Sequence, residues 1–223
     1  MSQVAEVSTA AAAGRVYSVN VSGDLRDVEY GGQIVTTGYF KHPVEGEVVA
    51  RRLGLEGDAQ ADLKVHGGPA KAVYFYPREH YEGWERLLET DPLPPGSFGE
   101  NITTEGLTEA DLAIGDVIRI GTALLQVRQP RSPCYKMQIR FGRPDMVALF
   151  MRHGLPGWYA SVIEEGSFTT GDAIEIVSRA VEGVSVADIW RYSLHAPVSP
   201  EIRQRISGME LLPSFWRERI IRG

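Results

Sequence analysis

Gly115–Lys136 reads GDVIRIGTALLQVRQPRSPCYK, and the parsing of this segment organises the rest of the chain. Val117–Ile120 and Ala123–Gln129 are apolar, β-favouring runs joined around Gly121, the pattern of two paired strands. Pro130 has no N–H to give to a sheet ladder and stops the second run. The octet that follows, QPRSPCYK (Gln129–Lys136), holds two prolines, two cations, a hydroxyl and the single cysteine of the chain. Cys134 has two readings there. A lone cysteine often packs as a small hydrophobe. Arg131 and Lys136, close in sequence, favour the reactive thiolate instead, and a metal ion would deprotonate it outright.

Outward from this segment the N-terminal half reads as β structure. GRVYSVNVSG, VEGEVVARRLGL and KAVYFYP are short apolar or alternating runs broken by Gly and Pro. Pro77 then opens PREHYEGWERLLET, where Tyr81, Trp84, Leu87 and Leu88 recur at helical spacing; this predicts a helix from Pro77 to Thr90. On the other side, RPDMVALFMRHG predicts a helix and DAIEIV a strand, with Asp172 capping the turn before it. Beyond Val181 the pattern changes to three short helices. Ser185 with Asp188, Ser199 with Pro200, and Pro213 mark their starts.

Totals narrow the class. A chain of 223 residues buries roughly 70% of the surface it exposes when unfolded, enough for a core without cross-links. One cysteine excludes an intramolecular disulfide framework and a Cys-rich zinc site, and it suits a reducing compartment, so the cytoplasm is expected. The start, MSQVAEVSTAAAAGR, lacks the features of a signal peptide and reads as a flexible leader over residues 1–13. No membrane span is expected. Acidic residues outnumber basic ones, 29 to 23, which disfavours nucleic acid as a partner. The tail arginines Arg191, Arg203, Arg205, Arg217 and Arg219 alternate with glutamates and do not alter that.

Two further clusters carry chemistry. GDAQADLKVHGGPAK (Gly57–Lys71) packs Asp58, Asp62, Lys64, His66 and Lys71 around Gly67-Gly68, whose backbone N–H groups could converge on an anion or simply turn the chain. SFGENIT (Ser97–Thr103) offers Glu100 and Asn101, able either to read a heterocycle's edge or to make a local turn. Arg119 is either a solvent-facing charge or a phosphate fork. Trp158 and Tyr159 read as core or as a stacking platform.

These clusters in this order, GDAQADLKVHGGPAKAVYFY, SFGENIT and IGDVIRIGTALLQVRQPRSPCYK, resemble the MOSC family, named after the C-terminal domain of molybdenum cofactor sulfurases. GWYASVI and the tail VSVADIWRYSLHAPVSPEIRQRISGMELLPSFWRERI extend the resemblance over residues 15–220 and are similar to the YiiM-like branch. The resemblance implies an α+β, mainly β fold: an antiparallel β-barrel with flanking helices over residues 14–180 and a three-helix domain over 181–223. It also implies a molybdopterin-type molybdenum cofactor ligated by Cys134, and a molybdenum-dependent oxidoreductase that reduces N-hydroxylated compounds, base analogues included. Soft thiolate suits molybdenum. Arg131, Lys136, Lys64 and Lys71 would balance the anionic cofactor, and Ser132, Asn101 and the Gly67-Gly68 backbone would hydrogen-bond it, with Arg119 a further phosphate candidate. His66, oriented by Asp62, is the chemical candidate for proton delivery. No Gly-x-Gly-x-x-Gly fingerprint is present, so an external reductase is expected to supply electrons. Rival readings are a cofactor carrier or sulfur-handling module without turnover, and a metal-free Cys134-His66 hydrolase or transferase.

Overall fold

The computed structural model describes residues 12–59, 61, 67–181 and 183–222. Its strands, in chain order, are β1 (Ala12–Val21), β2 (Arg26–Tyr30), β3 (Gln33–Thr37), β4 (His42–Pro43), β5 (Val48–Arg51), β6 (Gly54–Leu55), β7 (Val73–Pro77), β8 (Ile102–Glu105), β9 (Val117–Ile120), β10 (Ala123–Pro130), β11 (Trp158–Glu164), β12 (Gly166–Phe168) and β13 (Ala173–Ser178). The helices are α1 (Tyr81–Leu88), α2 (Lys136–Phe141), α3 (Met146–His153), α4 (Val186–Ser193), α5 (Pro200–Gly208) and α6 (Ser214–Arg222). Strand β1 begins at Ala12, so the last two residues of the expected leader are already strand; residues 1–11 lie outside the described residues.

Seven strands close a barrel in the order β1-β13-β9-β10-β11-β7-β8, with β8 returning to β1 and β4 added outside β1. Closure removes the exposed edges that invite aggregation. All neighbours are antiparallel except β7 and β8, which run parallel with Phe75 opposite Ile102. A parallel pair needs a long crossover, and the segment containing α1 is that connection. The hairpin expected around Gly121 is β9–β10, with Gly121 in the left-handed region at φ 53°. Strand β10 ends at Pro130, and buried residues alternate with half-buried ones from Ala123 to Val127. Between Val127 and Gln129 its register against β11 slips by one residue; such bulges re-aim side chains, and here Arg128 and Gln129 both reach α6 or the loop before it.

Two expectations need correction. The helix predicted from Pro77 begins at Tyr81. Pro77 is the last residue of β7, and Arg78–His80 form a single tight 3₁₀ turn between them. Proline pre-sets φ for a helix start, but its extended ψ of 133° serves the strand equally well. The second correction is α2, which follows Cys134 directly and was not anticipated in the octet. The tail starts do match: Ser185 Oγ accepts from the N–H of Asp188 at 3.0 Å and Ser199 Oγ from Ile202 at 3.3 Å.

One apolar core runs through barrel and tail alike, from Phe75, Ile118, Leu125 and Trp158 to Ile189, Trp190, Ile206, Trp216 and Ile220. Trp158 belongs to it, stacked on Phe75 with ring centres 5.4 Å apart. The β2–β3 hairpin turns through Gly31 and Gly32, both at positive φ as a tight hairpin turn of this kind requires. Its Tyr30 donates to Gln138 of α2 at 2.7 Å and stacks against Tyr135 at 6.0 Å. The hairpin thereby lies over the segment that carries Cys134.

Candidate functional site

The start of β7, the approach to β8, the end of β10 and the start of β11 meet at one end of the barrel. Together with the chain after β3 they enclose a cleft of about 660 Å³, open mouth included. Its walls include Tyr39, Lys41, Asp58, Lys71, Tyr74, Asn101, Arg131, Ser132, Cys134, Lys136 and Tyr159. The octet contributes four of these, so Arg131 and Lys136, five residues apart, line the same cleft as the half-buried thiol between them.

Arg131 is only 4% exposed. Its Nη2 donates to the Tyr39 hydroxyl at 3.2 Å, and its guanidinium carbon lies 4.8 Å from the Tyr74 ring centre, 5.3 Å from Tyr39 and 5.6 Å from Phe150. Nη1 is buried with no hydrogen-bond partner. No carboxylate pairs with it among the described residues. Burying a cation costs several kcal/mol, whereas each ring returns about 0.5–2 kcal/mol. Three rings together return about 1.5–6 kcal/mol, the same order as that cost, and a guanidinium does not escape it by losing its proton. Burial also raises the pKa values of Tyr39 and Tyr74, so these neighbours stay neutral and offer no counter-charge. The Cys134 sulfur, as thiolate, is the neighbouring group that would supply a counter-charge.

The cleft floor is balanced in a different way. Lys41 pairs with buried Asp58, whose carboxylate also accepts from the N–H of Ser22 at 3.0 Å and from Asn101 Nδ2 at 2.8 Å. Burial pulls the Lys41 pKa down and Asp58 partly restores it. Asn101 lines the wall, yet its side chain is committed: Oδ1 accepts from the N–H of Tyr74 at 3.1 Å, and Nδ2 also approaches the Asn20 carbonyl at 3.5 Å. As positioned, it braces β1, β7 and β8 rather than presenting a free amide edge. Glu100 is wholly buried and accepts from Tyr81, the N–H groups of Gly96 and Phe98, and Thr103. It holds the turn together, and burial raises its pKa.

The other sequence candidates divide cleanly. Lys71 and Ser132 are in the cleft with Cys134. Gly67 and Gly68 line an adjoining depression that shares Lys71, Ser132, Cys134 and Tyr159. Arg119 does not join them: it is exposed on β9, opposite Glu175 of β13. Asp62, Lys64 and His66 lie outside the described residues. Lys41, Tyr39 and Tyr74 were not singled out from the sequence. Tyr39 and Lys41 sit in the unremarkable run TTGYFKHP, and only the folding back of the chain after β3 brings them to Arg131.

The family model for the MOSC domain matches residues 62–175. The chain belongs to the MOSC family. Among MOSC relatives, the protein YiiM of Escherichia coli (strain K12) is 42% identical over 79% of this chain and 79% of its own length. The crystal structure of YiiM from Geobacillus stearothermophilus superposes with a TM-score of 0.75 at 32% identity, covering 93% of this chain and 99% of that one. A protein of Gibberella moniliformis (strain M3125 / FGSC 7600) named as a reductase is 33% identical over 76% of this chain, which spans 30% of that longer protein. The seven-stranded MOSC barrel with flanking helices is thus shared with solved structures. Among the described residues no helix is long and apolar enough to cross a membrane.

MOSC domains are associated with the molybdenum cofactor, and the donor set here fits such a group. The buried Arg131, with Nη1 unpartnered, suits an anionic ligand. Among the described residues no group of three His, Cys, Asp or Glu side chains could hold a metal ion.

Proposed function

We propose that this MOSC protein is a molybdenum-dependent oxidoreductase that reduces N-hydroxylated compounds, base analogues included, to amines with electrons from an external reductase. The observation that carries the reading is the buried Arg131, one nitrogen unpartnered and no carboxylate paired to it among the described residues, in the same cleft as the chain's one thiol. Cys134 would ligate the metal. Arg131, Lys136 and Lys71 would balance the anionic phosphate and dithiolene, with the Ser132 hydroxyl and the Gly67-Gly68 backbone donating hydrogen bonds. When bound, the cofactor supplies two-electron exchange with an oxygen atom. The overall change is R–NHOH + 2 e⁻ + 2 H⁺ → R–NH₂ + H₂O.

The chain's own residues have three tasks. The aromatic walls Tyr39, Tyr74 and Tyr159, all pushed toward higher pKa by burial, keep water and ionised oxygen away from the anionic ligand. Asn101 and Ser22 hold Asp58 in place, and Asp58 holds Lys41. Lys41 carries a proton at its Nζ in the cleft floor, and its lowered pKa makes it a better acid there than a free lysine. Support from relatives is consistent in kind: one MOSC relative is named as a reductase.

The test is cofactor extraction from wild type and Cys134→Ser, both produced in a host that makes the molybdenum cofactor, paired with reductase-coupled turnover of 6-hydroxylaminopurine. Wild type should carry molybdenum and pterin close to one per chain. The serine variant should lose turnover by about tenfold or more, since even altering a ligand's supporting partner costs about 10–100-fold. Undiminished turnover in the variant, or active wild type devoid of molybdenum, refutes the assignment.

A further inference from the structure

Cys134, Ser132, Lys71 and Tyr159 also border a second depression, about 1140 Å³ with its mouth, that does not include Arg131. One wall is the backbone of Gly67, Gly68 and Pro69. The facing contribution comes from the tail: Pro213, Phe215 and Trp216 at the start of α6. Gly68 is at φ 90°, and a Cβ there would meet no atom within 4 Å, so this wall is bare peptide against open space.

Phe215 is 54% exposed, although the Trp216 beside it is buried. The two rings meet edge to face, 5.4 Å apart at 80°. Trp216 is itself fixed: its Nε1 donates to Gln129 Oε1 at 3.0 Å, and Gln129 Nε2 donates to the Ala70 carbonyl at 3.0 Å. This chain of bonds ties α6 to β10 and to the Pro69–Lys71 turn, so the depression is built from three elements that hold one another in register. A phenyl ring held on a buried, hydrogen-bonded neighbour yet left half in water is an apolar face kept available.

The two hollows differ in charge. The first has Lys41, Lys71, Lys136 and the buried Arg131; the second has Lys71 as its one cation among the described residues. An anionic group belongs in the first. The second suits an uncharged flat ring, laid between a phenyl face and peptide planes, with a substituent reaching the sulfur both hollows share. The geometry points to a substrate subsite for planar aromatic or heteroaromatic N-hydroxylated compounds, with Phe215 as the residue that binds the ring face. The identity of the reacting group rests on the function proposed above, whereas the binding of the ring does not.

The experiment measures binding of 6-hydroxylaminopurine, and of adenine as its non-reacting analogue, to the full-length cofactor-loaded protein by calorimetry without reductant, alongside reductase-coupled KM values. Stacking of a base on an aromatic ring supports a loss of roughly tenfold in affinity for Phe215→Ala. Phe215→Trp should restore it, and the KM for hydroxyurea, which has no ring, should not move in either variant. Because the side chain is half exposed, the alanine variant should keep its fold, checked by circular dichroism and molybdenum content. Equal adenine affinity in wild type and Phe215→Ala overturns the subsite, as does an equal loss for hydroxyurea. Phe215-dependent binding in a protein without turnover would leave the subsite standing and remove the reductase reading. Turnover of 6-hydroxylaminopurine indifferent to Phe215 would remove the subsite alone.

Discussion

At Arg131, stability and ligand capture pull in opposite directions. The guanidinium is buried, ringed by neutral aromatics, and short of one hydrogen bond, with no carboxylate paired to it among the described residues. Replacing even a buried ion pair with apolar side chains of similar volume is commonly neutral or stabilising by about 1–4 kcal/mol, and a buried cation without a carboxylate partner has less attraction to lose. Arg131→Met should therefore leave the cofactor-free protein at least as stable as wild type in urea, while molybdenum content falls about tenfold or more. A cofactor-free variant markedly less stable than wild type would mean that the cation is structural. The place of Arg131 beside the thiol was legible in the crowded octet, where two prolines and two cations surround the lone cysteine, and the folded chain puts both cations in its cleft. Asn101 was less so. From sequence its amide could either recognise a ligand or make a local turn, and only the folded chain shows it taken by Tyr74, Asp58 and Asn20. Arg119 read as either a solvent-facing charge or a phosphate fork, and it is exposed on β9; alternation along a strand separates two faces but does not say which one meets water.

Among the elements, α1 and α3 show how packing overrules local preference. His153 is the last residue of α3, where the helix dipole favours a cation by about 0.3–1 kcal/mol. Its ring instead lies against Trp84 of α1, centres 4.4 Å apart, and a Cβ on Gly83 would come within 3.4 Å of it. Nε2 is buried without a partner. Burial, and secondarily the charge of His80, lower its pKa below 6.5, so burial outweighs the dipole. A base with a depressed folded pKa binds fewer protons when native than when unfolded. Its neutral form is uncosted above about pH 6.5, and stability falls as pH drops from there toward the folded pKa. The melting temperature of wild type should accordingly drop more between pH 7.5 and 5.5 than that of His153→Phe, which keeps a ring on Trp84. Equal drops would show that His153 does not titrate against the fold. The existence of α1 and α3 was legible in their apolar spacing, but the start of α1 was not, since proline serves a strand end as well as a helix start. Helix α2 was hidden because its six residues are too few for a period to declare itself and because the prolines before it read as loop.

For the molecule as a whole, the sequence reads residues 181–223 as a separate three-helix unit, because a change of period and three helix starts at one point look like a boundary. What the sequence does not disclose is where the apolar faces of those helices go. Ile189, Trp190, Ile206, Trp216 and Ile220 join the same core as the barrel strands. Polar contacts follow them: Arg128 of β10 donates to the Leu211 carbonyl at 2.9 Å, and Gln129 accepts from Trp216. Deleting the Trp216 side chain would leave a cavity beside β10 and strip the buried Gln129 carbonyl of its donor. Large aromatic-to-alanine changes in a core cost about 3–5 kcal/mol, and an orphaned buried acceptor adds about 1–3 kcal/mol. If tail and barrel form one cooperative body, Trp216→Ala should lower the urea midpoint of a single transition, with far-ultraviolet circular dichroism and tryptophan fluorescence moving together. If they are separable, the helical signal should melt first and the barrel should keep the wild-type midpoint. The cooperative outcome follows from the geometry, because the indole that anchors the tail hydrogen-bonds a residue whose other end holds the Ala70 carbonyl. Loosening α6 then loosens the turn beside Cys134, and loss of stability and loss of affinity for flat substrates should appear in the same variant.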